Sequence, residues 1–436
     1  MLSRNSDLIP SLLFAAGFLC ASAGAAAPVL LSPASNAVNV GASATLRMAV
    51  PASTVGPCTV RFYGRVAVNP GPDFTIAALP DTQNYSAVQH GAVLGMFTAQ
   101  TDWIVANHTA SNIVYVAGLG DIVDAGDTND GFNNIAQWYN ATNALYRLEN
   151  PVTTGLPEGI PYGTAVGNHD QSPNGDPDGT TIYFNRFFGV SHFAGRSYYG
   201  GHYGTNNNNH YDLFSASGLD FIVIYFQYDE NANQDVLDWA AHLLQSYPNR
   251  RAIVVTHYVG NADIPCDFGW QAQCIYTTLR TNANFFLMLG GHIMGEGARA
   301  DVFNDNSVAS LVADFQGYTN GGDGFLRLMR FSPGNNLIQV STYSPWLGQY
   351  MNDEQSQFSV PYDMAPAVAA AVTNFIALGT NSNIAAGAET SLVWSGLVPN
   401  HVYEWYVAVT DQANNTVVSP VWRFTSARKT AFYGVS

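Results

Sequence analysis

The chain has 436 residues, 47% of them hydrophobic and only 11% charged, with a formal net charge of −16. That length exceeds one ordinary hydrophobic core and predicts roughly two domains. With 16 Lys and Arg against 32 Asp and Glu, and no basic cluster, the surface is unsuited to long polyanions and no nucleic-acid partner is expected.

In chain order, the first feature is "IPSLLFAAGFLCASAGAAA" behind Arg4: a positive start, a short apolar segment and an A-x-A run ending near Ala27. Residues 1–27 therefore read as a cleaved signal peptide, and the chain is expected to be secreted or periplasmic. No other stretch is apolar and long enough to predict a membrane span. Cys20 would leave with the peptide. Of the remaining Cys58, Cys266 and Cys274, the close pair in "CDFGWQAQC" predicts a loop-closing disulfide that leaves Cys58 odd.

Residues 28–68 alternate short β-prone runs with Pro, Gly, Ser and Asn turns. Residues 371–428 have the same texture, and "LVPNHVYEWYVAVTD" with "SPVWRFTS" resembles the second half of a fibronectin type III or immunoglobulin-like domain. One split all-β sandwich, with residues 69–370 inserted in it and a tail at 429–436, is expected; two separate β pieces are the alternative. Trp394, Trp405 and Trp422 fit its core better than a carbohydrate platform.

The middle is different. Six apolar runs, "FTIAAL", "NIVYVAGL", "PYGTAV", "LDFIVIYF", "AIVVT" and "FFLML", are separated in several places by stretches of helical periodicity such as "DVLDWAAHLLQSY". Continuous apolar strands alternating with helices predict an α/β domain with a largely parallel, buried sheet. "GFLRLMRF" and "NLIQVSTYS" around "SPGN" predict an antiparallel hairpin, so the sheet system is mixed. "LVADFQ" and "GGDGFLRL" read as edge-strand structure.

Five of the six runs end in residues able to bind metal or donate hydrogen bonds: Asp81 and Gln83; Asp121 and Asp124; Asn168, His169 and Asp170; His257; and His292. Open α/β sheets bind ligands beyond the carboxyl ends of their strands, so loops far apart in sequence can meet there. Mixed oxygen and imidazole ligands suit a divalent transition metal, Zn, Mn or Fe, better than Ca or Mg. "GDIVD" alone is a common turn and a lone His after "VVT" is a common strand end. "GNHD" is more specific, and the order of all five carries the inference.

In these motifs the middle resembles the calcineurin-like metallophosphoesterase superfamily, whose motifs run D-x-H, GDxxD, GNH[DE], a later strand-end His and GHxH. The likeness covers about residues 74–343, through "DTQ", "GDIVD", "GNHD", "THY" and "GGHIM". It implies a four-layer α/β/β/α sandwich and hydrolysis of a small phosphomonoester or phosphodiester by metal-bound hydroxide, with one or two metal ions. Asp121 would bridge two metals, and Asn168, His257 and His292 would complete one site. The other site would use Asp81, Asp121 and the positions held here by Gln83 and Met294. His169 would serve the leaving group, oriented by Asp124.

Two positions depart from the pattern: Gln83 and Met294 stand where imidazoles are expected. Glu296 or His90 could replace the lost ligand; one metal could be tight and the other weak; or the chain could be a secreted binding protein that keeps one metal without turnover. His192, His202 and His210 lie in a Gly-, Tyr- and Asn-rich stretch read as a solvated loop, or as a lid over the crevice in which Arg196, Tyr198 and Tyr199 would grip substrate.

Overall fold

The computed structural model describes residues 26–427 apart from 36, 67–70, 128–133, 334, 365–374 and 399–400. All but the last two residues of the expected signal peptide, and the tail 429–436, lie outside the described residues. The chain divides into two compact units, residues 70–368 and a unit formed from both ends.

The end-formed unit is all-β. Its N-terminal part supplies β1 (Val29–Ser32), β2 (Ala37–Val40), β3 (Ser43–Ala49) and β4 (Cys58–Val66). The C-terminal part supplies five more strands: Ile376–Ile384, Glu389–Ser395, Val402–Thr410, Thr416–Val418 and Trp422–Ser426. Strands from the two ends pair directly, Glu389–Ser395 with β3 and Val402–Thr410 with β4. Alternating side chains of β3 and β4 are buried around Trp405, Val407 and Phe424, the period-two pattern of strands covered on one face. Trp394 and Trp422 pack against that core, as expected.

The middle unit opens with β5 (Phe74–Leu79), α1 (Gln83–Ala87), α2 (Leu94–Asn107), β6 (Ile113–Gly118), α3 (Ile135–Leu145), α4 (Pro151–Thr154) and β7 (Tyr162–Thr164). Next come α5 (Ile182–Phe188), α6 (Val190–Phe193), β8 (Tyr199–His202), β9 (His210–Ala216), β10 (Leu219–Phe226), α7 (Gln234–Ser246), β11 (Arg251–Tyr258), α8 (Trp270–Leu279) and β12 (Phe285–Gly291). It closes with β13 (Gly295–Phe303), β14 (Asn306–Asp314), β15 (Leu326–Ser332), β16 (Leu337–Ser344), β17 (Gln349–Tyr350) and β18 (Gln357–Pro361).

These strands form two mixed sheets. One runs β17-β16-β15-β5-β6-β7 with β18 on β16; the other runs β13-β14-β12-β11-β10-β9-β8. One core cluster, including Phe74, Tyr115, Phe221, Val255, Leu287 and Phe331, fills the space between the sheets. A second packs α2, α3, α5 and α6 on the outer face of the first sheet, and a third packs α7 and α8 on the second. The result is the four-layer α/β/β/α sandwich that the resemblance implies. Strands covered on both faces must be apolar throughout, and β5 and β12 are buried at every residue. Helix α7 shows the one-sided version of the same rule: it buries Val236, Leu237, Ala240, Leu243 and Leu244, and Asn233 caps it by accepting from Asp235 N and Val236 N.

Three readings of the sequence are corrected here. β14 and β15 are interior strands, because each has neighbours on both sides. The stretch read as a loop instead forms the β8–β9 hairpin at the edge of the second sheet. Cys58, Cys266 and Cys274 are all free thiols, so the expected disulfide is not formed: Cys266 sits in the loop held by its N–H to Ala298 O, while Cys274 lies on α8.

Candidate metal centre

In the first sheet β5, β6 and β7 are parallel, and in the second β10, β11, β12 and β14 are parallel. Their carboxyl ends therefore deliver side chains to one rim of each sheet. The two rims meet: Asp121, just past β6, places Oδ2 2.9 Å from Nε2 of His257 on β11. His292, just past β12, places Nδ1 3.2 Å from the same His257 nitrogen. Ligand atoms of Asp121, His257 and His292 all lie within 4.8 Å of one another.

The local backbone is shaped for this convergence. Asp121 and His292 both have positive φ, 47° and 69°, a conformation that costs a non-glycine residue free energy and persists where surrounding contacts impose it. Gly120 and Gly167 make room. A Cβ on Gly120 would lie 2.6 Å from His257 Nδ1, and one on Gly167 would collide with the Asp121 carboxylate.

Hydrogen bonds fix which atoms face the centre. His257 Nδ1 lies 2.9 Å from Leu119 O, which can only accept, so Nδ1 carries the proton and the neutral ring turns its Nε2 lone pair towards Asp121 and His292. Buried Asp121 Oδ2 accepts no well-formed hydrogen bond despite its 2.9 Å approach to that nitrogen. Two lone pairs this close are stable around a shared cation. Asn168 behaves consistently: its Nδ2 donates to Asn174 Oδ1 at 3.0 Å, which leaves Oδ1 buried without a partner. Its neighbour His169 donates its backbone N–H to Asp121 Oδ1 at 2.8 Å, which ties the Asn168–His169 pair to the cluster. Buried, unsatisfied oxygens beside two closely spaced imidazole nitrogens fit a divalent transition metal.

Without a cation the electrostatics favour an ion pair of His257 with Asp121, the pairing that a bound cation would replace. Burial pulls the His257 pKa down, but the Asp121 charge beside it outweighs burial and holds it above its usual value. Burial raises Asp121, and His257 more than reverses this to leave it low. His292, pushed down to about 4 by burial and then by the charge of His257, is neutral and able to ligate at neutral pH. Asp170 is buried, and burial with the Asp121 charge raises it to about 8. Its carboxylate accepts from the backbone N–H groups of Ile122, Val123 and Gly167, so it ties the two motif loops together.

His169 lies at the crevice with its ring partly exposed. Nδ1 is 2.7 Å from the backbone O of Asp124, whereas the Asp124 carboxylate is 3.7 Å away. The expected orienting role of Asp124 thus falls to its main chain. The rings of Tyr228 and Tyr258 flank His292, at centroid distances of 5.4 and 4.9 Å.

The other half of the expected site is built differently. Asp81 and Gln83 are buried at the end of β5, and Gln83 donates to Asp81 from both its backbone and its side chain. Two residues that the sequence reading passed over complete this half: Asp314, at the end of β14, and Gln316. "LVADFQ" ends an apolar run in Asp and Gln just as "ALPDTQ" does, and that is the signal that could have found them. Burial, and then the charges of Asp314, Asp121 and Asp170, raise the Asp81 pKa well above the ordinary carboxylate range.

Several candidate residues are not at the centre. Glu296 is buried against Arg327, and also accepts from Thr342 and Ser356, so its carboxylate is fully engaged elsewhere. Met294 is 61% exposed and covers Gly317, and His90 is exposed. Arg196 pairs with Glu149 at 2.8 Å, Tyr198 is buried, and Tyr199 donates to Asn207, so each already has a partner within the fold. His192 is bonded to Glu149, His202 to Tyr199, and His210 is stacked on Tyr225.

No family model matches the chain. Uncharacterized protein YvnB of Bacillus subtilis (strain 168) is 32% identical over 380 residues, covering 82% of this chain. The chain spans 28% of that relative's length. Among solved structures, a purple acid phosphatase from yellow lupin (Lupinus luteus) seeds is similar at TM-score 0.45 and 11% identity, over 79% of this chain and 76% of that one. A dimetal phosphatase from Danio rerio is similar at TM-score 0.41 and 11% identity, over 68% of this chain and all (100%) of that one. The anchor protein GAP50 of the Plasmodium inner membrane complex is similar at TM-score 0.38 and 14% identity, over 66% and 89%.

Proposed function

We propose that the middle unit is a metal-dependent phosphoesterase acting on a small phosphomonoester or phosphodiester, exported from the cell. One observation carries this reading: Asp121, His257 and His292, delivered by three different strand ends, turn their ligand atoms on a common point beside His169. Asn168, tied to Asp121 through the backbone of its neighbour His169, also has a buried oxygen without a partner, which makes it the fourth ligand of this reading. A divalent cation held there supplies positive charge for the phosphoryl oxygens and the Lewis acidity that activates water. Among the described residues no helix is long and apolar enough to cross a membrane.

His169 supplies the proton chemistry. A carbonyl cannot donate, so its Nδ1 must carry the proton given to Asp124 O. Exchange with a leaving-group oxygen then runs through Nε2, and donation requires the imidazolium form. The backbone bond to Asp121 fixes the distance between this ring and the ligand cluster.

The test is hydrolysis of an aryl phosphate monoester and diester by the full chain loaded with Zn, Mn or Fe. Turnover that falls by roughly 10²–10⁴-fold in His169→Ala while bound metal is retained supports the reading. The replacement of two expected imidazoles by Gln83 and Met294 favours a second reading, a binding protein that holds metal without turnover. Bound metal with no hydrolysis by the wild type in any of these metals would establish it.

A further inference from the structure

We infer that this centre takes a single divalent cation, at Asp121, Asn168, His257 and His292, and that the neighbouring position is closed by an amide clamp made by Gln83 and Gln316. The inference rests on the phosphoesterase reading above and specifies its metal content.

The clamp is two copies of one local device. At the end of β5, Asp81 Oδ1 accepts from Gln83 N at 3.0 Å and Oδ2 accepts from Gln83 Nε2 at 3.3 Å. At the end of β14, Asp314 Oδ1 accepts from Gln316 N at 2.8 Å and Oδ2 accepts from Gln316 Nε2 at 3.0 Å. The two copies are joined, because Gln83 Nε2 also donates to Gln316 Oε1 and Asn84 Nδ2 donates to Gln316 O at 3.0 Å.

Each carboxylate therefore has both oxygens engaged by the amides two residues further along its own chain. A cation taking an oxygen from each carboxylate would have to compete with these amide donors for it. Asp81, Gln83 and Asp314 are all buried, so little water is at hand to satisfy the displaced donors, and a buried donor left bare is costly. Across the site the situation is the reverse. Asp121 Oδ2 and Asn168 Oδ1 are buried and unpartnered, which is how ligands of a cation present themselves.

Donor chemistry points the same way. The second half offers no imidazole: Gln83 is an amide, and the Met294 thioether is soft and 61% exposed over Gly317. Gln83 Oε1 is the one clamp acceptor without a partner, and a single neutral oxygen does not make a coordination sphere. Among the described residues, neither Asp81 nor Asp314 joins the group of ligand atoms that lie within 4.8 Å of one another.

The deciding experiment is metal stoichiometry on the full-length chain, equilibrated with Mn(II) or Zn(II), freed of excess and analysed by mass spectrometry, with the Mn(II) sample also examined by electron paramagnetic resonance. One equivalent per chain, with the spectrum of an isolated ion, is expected. That equivalent should persist in Gln83→Ala and Gln316→Ala and disappear in His257→Ala. Two equivalents or a spin-coupled pair in the wild type would overturn the single-cation inference and leave the phosphoesterase reading standing. Loss of the one equivalent in either glutamine variant, or its retention in His257→Ala, would also overturn it. A wild-type chain with no bound metal would remove both. The wild-type measurement decides whether or not any variant folds.

Discussion

The two halves of the strand-end crevice solve the same electrostatic problem in opposite ways. In one half the ligand atoms of Asp121, His257 and His292 gather within 4.8 Å of one another, and Asp121 Oδ2 and Asn168 Oδ1 are left without hydrogen bonds. In the other, Asp81 and Asp314 are also buried, but each is satisfied by the glutamine two residues beyond it. A buried carboxylate has to be matched by a cation, a proton or hydrogen-bond donors. One side of this site is arranged for the first, and the other for donors together with a raised affinity for a proton. Similar strand ends can therefore carry different chemistry, and the side-chain donors two residues on decide which.

The largest effect should come from breaking the imidazole half. His257→Ala is expected to abolish metal binding and hydrolysis together, as read by metal content and an aryl phosphate assay. Chelation of the wild type should do the same and lower Tm; a cation present at 100 times its Kd contributes about 2.7 kcal/mol to stability. Next in size is a change outside both halves. Arg327→Met strands buried Glu296 without its charge partner and should cost about 3–5 kcal/mol in chemical unfolding, with metal content per folded chain unchanged. Loss of metal in that variant would mean that the Arg327–Glu296 pair supports the centre.

A finer test concerns the support of the imidazole half. Asn174→Ala frees the Asn168 amide to rotate and should weaken metal affinity roughly 10–100-fold without abolishing it. A separate effect lies away from the centre, at Asp212, which burial raises to about 8 although Tyr115 donates to it. Between its ordinary value of 3.8 and about 8 the folded chain holds a proton that the unfolded chain has released. Stability from this group is therefore greatest at low pH and declines as pH rises through that window. Asp212→Asn should flatten that part of the stability–pH curve measured by denaturant titration.

Much of this was legible in the sequence, for identifiable reasons. Strands buried on both faces must be apolar, so "FTIAAL" and "FFLML" announced themselves, and the polar residues that stop such runs marked the rim where ligands gather. The amide clamp was half visible. Gln83 stands out because it replaces an expected imidazole, while Asp314 and Gln316 do not, because their run has the texture of an edge strand although it lies inside the sheet. Whether a strand is edge or interior depends on partners distant in the chain. The same limit explains Glu296: next to Met294 it looked free to ligate, and only the pairing of β13 with β14, and of β15 with β16, sets it against Arg327 and Thr342. Arg196 looked like an anion grip for lack of any sequence sign that Glu149 would meet it.

The most direct test of the central claim is anomalous scattering from crystals of the full chain grown with Zn(II) or Mn(II). The account predicts one strong peak, about 2.0–2.2 Å from Asp121 Oδ2, His257 Nε2 and His292 Nδ1, with Asn168 Oδ1 alongside. A map without a peak at that point, in crystals that hold the metal elsewhere, would contradict it.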